Sequence, residues 1–80
     1  MQLDILTPED KIYSGEVKLV QLPGTSGSFE IMNHHAPLIS SLKAGKIKVE
    51  TLQAPNEPLF FEIKGGLVEV LNNKIIVLAE

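Results

Sequence analysis

Short apolar runs, alternating with polar residues and broken every few positions by Gly, Pro or Asn, govern the 80-residue chain. That spacing belongs to an all-β sandwich or barrel. Leu3 and Ile5 alternate with Gln2 and Asp4, so a first strand is expected to end near Thr7-Pro8. Glu9–Tyr13 reads as a turn followed by a short strand. Ile47, Val49 and Thr51 alternate with Lys46, Lys48 and Glu50, the clearest half-exposed strand in the chain. Leu59, Phe61 and Ile63 are expected to face inward, with Glu62 and Lys64 outward and Phe60 interrupting. Val68 and Val70 alternate with Glu69. No useful stretch repeats apolar residues at i, i+3, i+4 and i+7, and β-branched residues fill the apolar positions, so no long helix is expected.

Within Glu16–Leu22 the alternation slips: Val17 and Leu19 share one parity, Val20 and Leu22 the other. A bulge would produce this, because one extra residue flips every later side chain. A strand covered on both faces would produce it equally. Ser28–Ile31 and Leu38–Leu42 read as short strands on either side of an Asn33–Pro37 loop. Ala54-Pro-Asn-Glu-Pro58 is a surface loop, since its prolines cannot donate to a ladder. Gly65-Gly66 marks a turn or a strand junction. Asn72-Asn73 is a two-residue hairpin signal, because Asn tolerates positive φ. The total is about eight to ten short strands. With no repeat and no linker, residues 1–80 read as one domain.

A domain of this size buries only about 60–65% of the surface its unfolded chain exposes. A permanent partner would add stability, as does anything that binds only the folded state. The absence of cysteine excludes a disulfide framework and a thiolate metal site. A net charge of −3 with dispersed lysines argues against a nucleic-acid surface or an anionic-membrane surface. The longest apolar run, Ile75–Ala79, is far short of the ~20 residues a membrane span needs. The N-terminus has neither a signal-peptide nor a transit-peptide pattern. A soluble, bacterial protein is expected.

Candidate chemistry is sparse. Gly24-Thr-Ser-Gly27 lacks the Lys and the following helix of a phosphate-binding loop. His34 and His35 are adjacent, and neighbours in extended chain point to opposite sides, so one ion rarely takes both. Ser26, Ser28, Ser40 and Ser41 lie in no nucleophile-elbow pattern. The carboxylates are scattered over polar strand positions and loops. A small non-enzymatic β-sandwich without cofactor or metal is the reading these residues support, which makes it an interaction module.

The motif order then narrows this. Val20, Leu22-Pro23-Gly24, Gly27, Phe29, Ile31 and His35-Ala36-Pro37-Leu38 together resemble the signature of the epsilon subunits of bacterial F-type ATP synthases. The likeness continues through Leu42, Gly45 and Ile47, through Phe61, Ile63, Gly65-Gly66 and Val68-Glu69-Val70, and through Asn73–Ala79. Leu3-Asp4-Ile5 and Gly15 are similar to the family's opening. The resemblance covers nearly the whole chain.

It implies a sandwich of two sheets of roughly five strands each. It also implies a non-catalytic place in the rotor's central stalk, at the foot of the gamma subunit and against the polar loops of the membrane c-ring. There the domain would help couple proton transport to ATP synthesis on the cytoplasmic side of the bacterial inner membrane, touching the membrane only through the complex. Carried over by position, Ser28, Glu30, Asn33, His34 and His35 are the expected c-ring contacts. Ser40, Leu42 and Lys64 are the expected gamma contacts. Glu30 departs from the family, which more often has Gly there; a charge at that place would pair with a basic c-ring loop or point to water. Family members usually continue into two antiparallel helices, whereas this chain stops at Glu80. Inhibition by that hairpin and ATP sensing are therefore not expected of this polypeptide. The alternative is a free-standing sandwich that binds a ligand or another protein, and a ligand site would require a concave pocket with convergent polar groups.

Overall fold

Leu3 and Ile5 point into the interior from β1 (Gln2–Leu6), with no exposed surface, while Gln2, Asp4 and Leu6 face out. The computed structural model describes residues 1–80. Five further strands follow: β2 (Lys11–Gly24), β3 (Gly27–Met32), β4 (Leu38–Thr51), β5 (Leu59–Leu71) and β6 (Lys74–Ala79). The hydrogen-bonded order is β1-β6-β5-β4-β2-β3, and β1 also pairs with β2, which closes the sheet on itself. Every pairing is antiparallel except β1 with β6.

The strands are fewer and longer than the alternation suggests. Leu38–Leu42 and Ile47–Thr51 join into β4, whose ladder to β5 keeps one register from Leu38↔Val70 to Val49↔Leu59. Gly65-Gly66 is a junction inside β5 rather than a turn. These long strands each serve two layers. One layer runs through the first half of β4, the second half of β5, β6, β1 and the first half of β2. The other runs through β3, the second half of β2, the second half of β4 and the first half of β5. Five segments thus face four, which gives the all-β sandwich its barrel-like closure.

The slip in β2 is a bulge. Between Val17 and Leu19 this strand advances two residues while its partner advances one, from Thr51 to Glu50. Val17, Val20 and Leu22 consequently all point inward and are fully buried. Leu19 is left half-buried on the outside, opposite Met32 and Glu50. Sixteen buried apolar residues fill the space between the layers, and no polar or charged side chain is buried with them. Tyr13 and Phe61, from opposite layers, meet at 5.4 Å between ring centroids and close one side of the core.

The hairpins obey their turn chemistry. Asn72 and Asn73 have φ of 51° and 60°, the left-handed pair that a two-residue turn between twisted strands demands. Gly27, with φ of 133°, closes the β2–β3 hairpin, where a side chain would be strained. At Gly66 the constraint is spatial as well: a Cβ there would run into the carbonyl oxygen of Leu78.

Candidate functional site

Strand β3 lies at the edge of the four-segment layer and pairs with β2 on one side only. Its alternation sends Ile31 into the core and Phe29 against it, and sends Ser28, Glu30 and Met32 outward. Ser28 stands opposite Pro23, and Glu30 opposite Gln21. Both are exposed. The chain then turns through Asn33–Pro37 before entering β4.

This loop is held from three directions. The His35 N–H donates to the Met32 carbonyl at 3.2 Å and closes the turn. The His34 N–H donates to Oδ1 of Asn73 at 2.8 Å. Asn73 Nδ2 donates to Oδ1 of Asn33 at 3.3 Å, and the Met1 amino group donates to the same oxygen at 3.0 Å. Met1 is itself buried and also donates to the Val17 carbonyl at 3.2 Å. His34 adopts a φ of 61°, a conformation that a residue with a Cβ leaves unless its surroundings hold it. The His35 ring faces outward, with Nδ1 2.8 Å from the Ala36 carbonyl oxygen.

Thus Asn33, His34 and His35 come together at one end of the sandwich, beside the β5–β6 turn and Met1. Ser28 and Glu30 extend the same edge along β3. The other expected set does not gather there. Ser40 is half-buried, and its hydroxyl reaches the Ser41 carbonyl at 3.4 Å. Leu42 is a core residue with 5% of its surface exposed, so it offers no side chain to a partner; its parity on β4 points it inward. Lys64 is exposed and sits opposite the Lys43–Gly45 stretch of β4.

Two residues of this end escaped the sequence reading, Met1 and Asn73. Asn73 was legible as a turn residue, but its side chain serves a loop 39 and 40 positions away, which no local pattern reveals.

The two outer faces differ. On the four-segment layer, Lys46 lies opposite Glu62, and Lys48 is 3.8 Å from Glu50. On the five-segment layer, Leu67 and Leu78 stand opposite each other and both are exposed, with Leu6 the next neighbour of Leu78. Two shallow grooves cross this apolar face, one at Leu71, Lys74 and Ile76, the other at Leu6, Pro8 and Leu78. Neither touches the β3 edge. No three His, Cys, Asp or Glu side chains converge as metal ligands would. The carboxyl of Asp4 is held below its ordinary range, first by the Ser14 hydroxyl that donates to it at 2.7 Å, then by the Gln2 amide at 3.0 Å.

Comparison with known proteins fits this architecture. The family described as the ATP synthase Delta/Epsilon chain beta-sandwich domain matches residues 1–80. The ATP synthase epsilon chain of Chlorobium limicola is 44% identical over 79 residues, which span 99% of this chain and 88% of the relative. That of Chlorobaculum tepidum is 41% identical, over 98% of this chain and 86% of the relative. The epsilon chain of Salinibacter ruber is longer: all of this chain aligns at 37% identity with 58% of it. Among solved structures, a chain in the central stalk/c-ring structure of Tetrahymena thermophila mitochondrial ATP synthase superposes with a TM-score of 0.82 at 20% identity. It aligns with 98% of this chain and 61% of its own length. One from the OSCP/F1/c-ring structure of Euglena gracilis mitochondrial ATP synthase gives 0.87 at 16% identity, over 96% of this chain and 48% of its own. At such identities these two speak for the fold alone. A match that spans every residue, together with relatives above 40% identity over most of their own length, settles the assignment: this chain belongs to the family of ATP synthase delta/epsilon-chain β-sandwich domains.

Proposed function

We propose that this chain acts as an epsilon-type subunit in the central stalk of an F-type ATP synthase, docking the gamma subunit onto the c-ring. It does so as an accessory part with no catalytic residues of its own, at the cytoplasmic side of a bacterial inner membrane. In that role it helps couple proton transport to ATP synthesis. The observation that carries this reading is the family match over residues 1–80.

The geometry supports a division of labour. Ser28 and Glu30 on the β3 edge, with Asn33, His34 and His35 in the following loop, form the c-ring side. Asn33 contributes from within, since its side-chain oxygen already accepts two hydrogen bonds. Ser40 on β4 and Lys64 on β5 are the proposed gamma contacts, while Leu42 belongs to the core. Mixing the chain with purified gamma subunit at low salt and separating by size tests the reading directly. Co-elution is expected. Two separate peaks would overturn it.

A further inference from the structure

The β5–β6 turn touches the loop after β3 through the side chain of Asn73, yet it is not among the contacts proposed above. We propose that Asn73 is a positioning residue: its side chain presets the left-handed backbone at His34, so that the loop meets its partner already in its bound shape. The choice of partner rests on the docking reading above; the geometry stands on its own bonds.

A φ of 61° at His34 is disfavoured for any residue with a Cβ. Inside the loop only the His35-to-Met32 bond opposes its loss. Asn73 adds the second restraint, by accepting the His34 N–H at 2.8 Å. Its amide can adopt one orientation only. Oδ1 takes the His34 N–H while Nδ2 donates to Asn33, and the flipped amide would set a donor against a donor. The backbone of Asn73 is fixed in turn: it occupies the left-handed position of a two-residue hairpin, and its carbonyl accepts the Gln2 N–H at 3.2 Å. The rigid hairpin therefore lends its order to the loop. A partner that binds only the left-handed form would find its affinity reduced by the fraction of time an unheld loop spends there.

Asn73→Gly separates this role from the turn's own stability. An Asn-Gly pair is the strongest two-residue turn signal, so the hairpin survives while the acceptor disappears. Asn73→Asp keeps an acceptor for the His34 N–H and tolerates positive φ, but it loses the donor to Asn33. With isotope-labelled protein, Asn73→Gly should speed amide exchange at His34 and His35 about tenfold. It should also weaken binding to a detergent-solubilised gamma–c-ring assembly about tenfold. The variant should stay folded, with its unfolding midpoint lowered only slightly, and Asn73→Asp should stay closer to wild type than Asn73→Gly in His34 exchange. Unchanged exchange at His34, or unchanged affinity in Asn73→Gly, would overturn the proposal. So would global unfolding of that variant, since Asn73 would then be a residue of the fold. If the wild type itself does not bind the assembly, the docking reading fails, and exchange at His34 alone decides the role of Asn73.

Discussion

The backbone N–H of His34 is hydrogen-bonded at 2.8 Å to the side chain of Asn73, 39 residues further along the chain. Both residues have positive φ, so two locally costly conformations support each other across the end of the sandwich. Asn33 is the third member, taking hydrogen bonds from Asn73 and from the Met1 amino group. Asn33→Ala takes this acceptor from both donors, although the Met1 amino group keeps the Val17 carbonyl, and should cost about 0.5–1.5 kcal/mol in urea unfolding. A variant as stable as wild type would show that the end of the sandwich does not depend on this network.

Gly66→Ala should be among the costlier single changes outside the core. The added Cβ runs into the Leu78 carbonyl oxygen, and φ of 154° is strained for any side chain. A loss of about 2–3 kcal/mol is expected. Gly27→Ala meets no atom within 4 Å and carries only its φ of 133°, so about 1 kcal/mol is expected there. Equal losses at the two sites would contradict the close approach of β5 and β6.

Leu42 and Lys64 should part company. Leu42→Ala opens a cavity in the core and should cost about 2–4 kcal/mol. Lys64→Ala should change stability by less than about 0.5 kcal/mol while weakening binding to gamma. A stable Leu42→Ala, or a Lys64→Ala with full gamma affinity, would each refute the role given to that residue.

Asp4 makes stability fall in acid. Hydrogen bonds from Ser14 and then Gln2 favour its ionised form in the folded state. Its contribution is therefore complete above the unfolded value near 3.8 and is lost as pH falls through the lower folded value. The stability gap between wild type and Asp4→Asn should be steady from about pH 5 to 7 and should close below about pH 4. A gap that stayed constant into strong acid would rule out this linkage.

Much of this architecture is written in local pattern. The strict alternation of Leu3 and Ile5 or of Val68 and Val70 gives the inward faces directly, whereas the parity slip in Val17–Leu22 fits a bulge or a strand covered on both faces, and only the register with β4 decides for the bulge. The Asn72-Asn73 turn follows from the tolerance of Asn for positive φ. Strand number was not legible, because nothing local says whether Lys43–Gly45 or Gly65-Gly66 ends a strand or carries it round a bend. That is decided by an unbroken register between β4 and β5, a non-local property. The inward direction of Leu42 is likewise non-local, since it follows from where the other layer lies and leaves the residue 5% exposed. The motif order located the β3 edge and its loop, while the network that shapes the loop joins positions 39 and 40 residues apart and leaves no periodic trace.

The central claim, that the β3 edge and the Asn33–His35 loop form the face toward the rotor ring, is open to one direct measurement. Isotope-labelled chain would be titrated with a detergent-solubilised gamma–c-ring assembly while backbone and side-chain NMR signals are followed residue by residue. Signals of Ser28, Glu30, His34 and His35 should lose intensity first, and Lys46 and Glu62 on the charged outer face should respond least. Binding that leaves the β3 edge and its loop untouched while perturbing Lys46 and Glu62 would contradict the account.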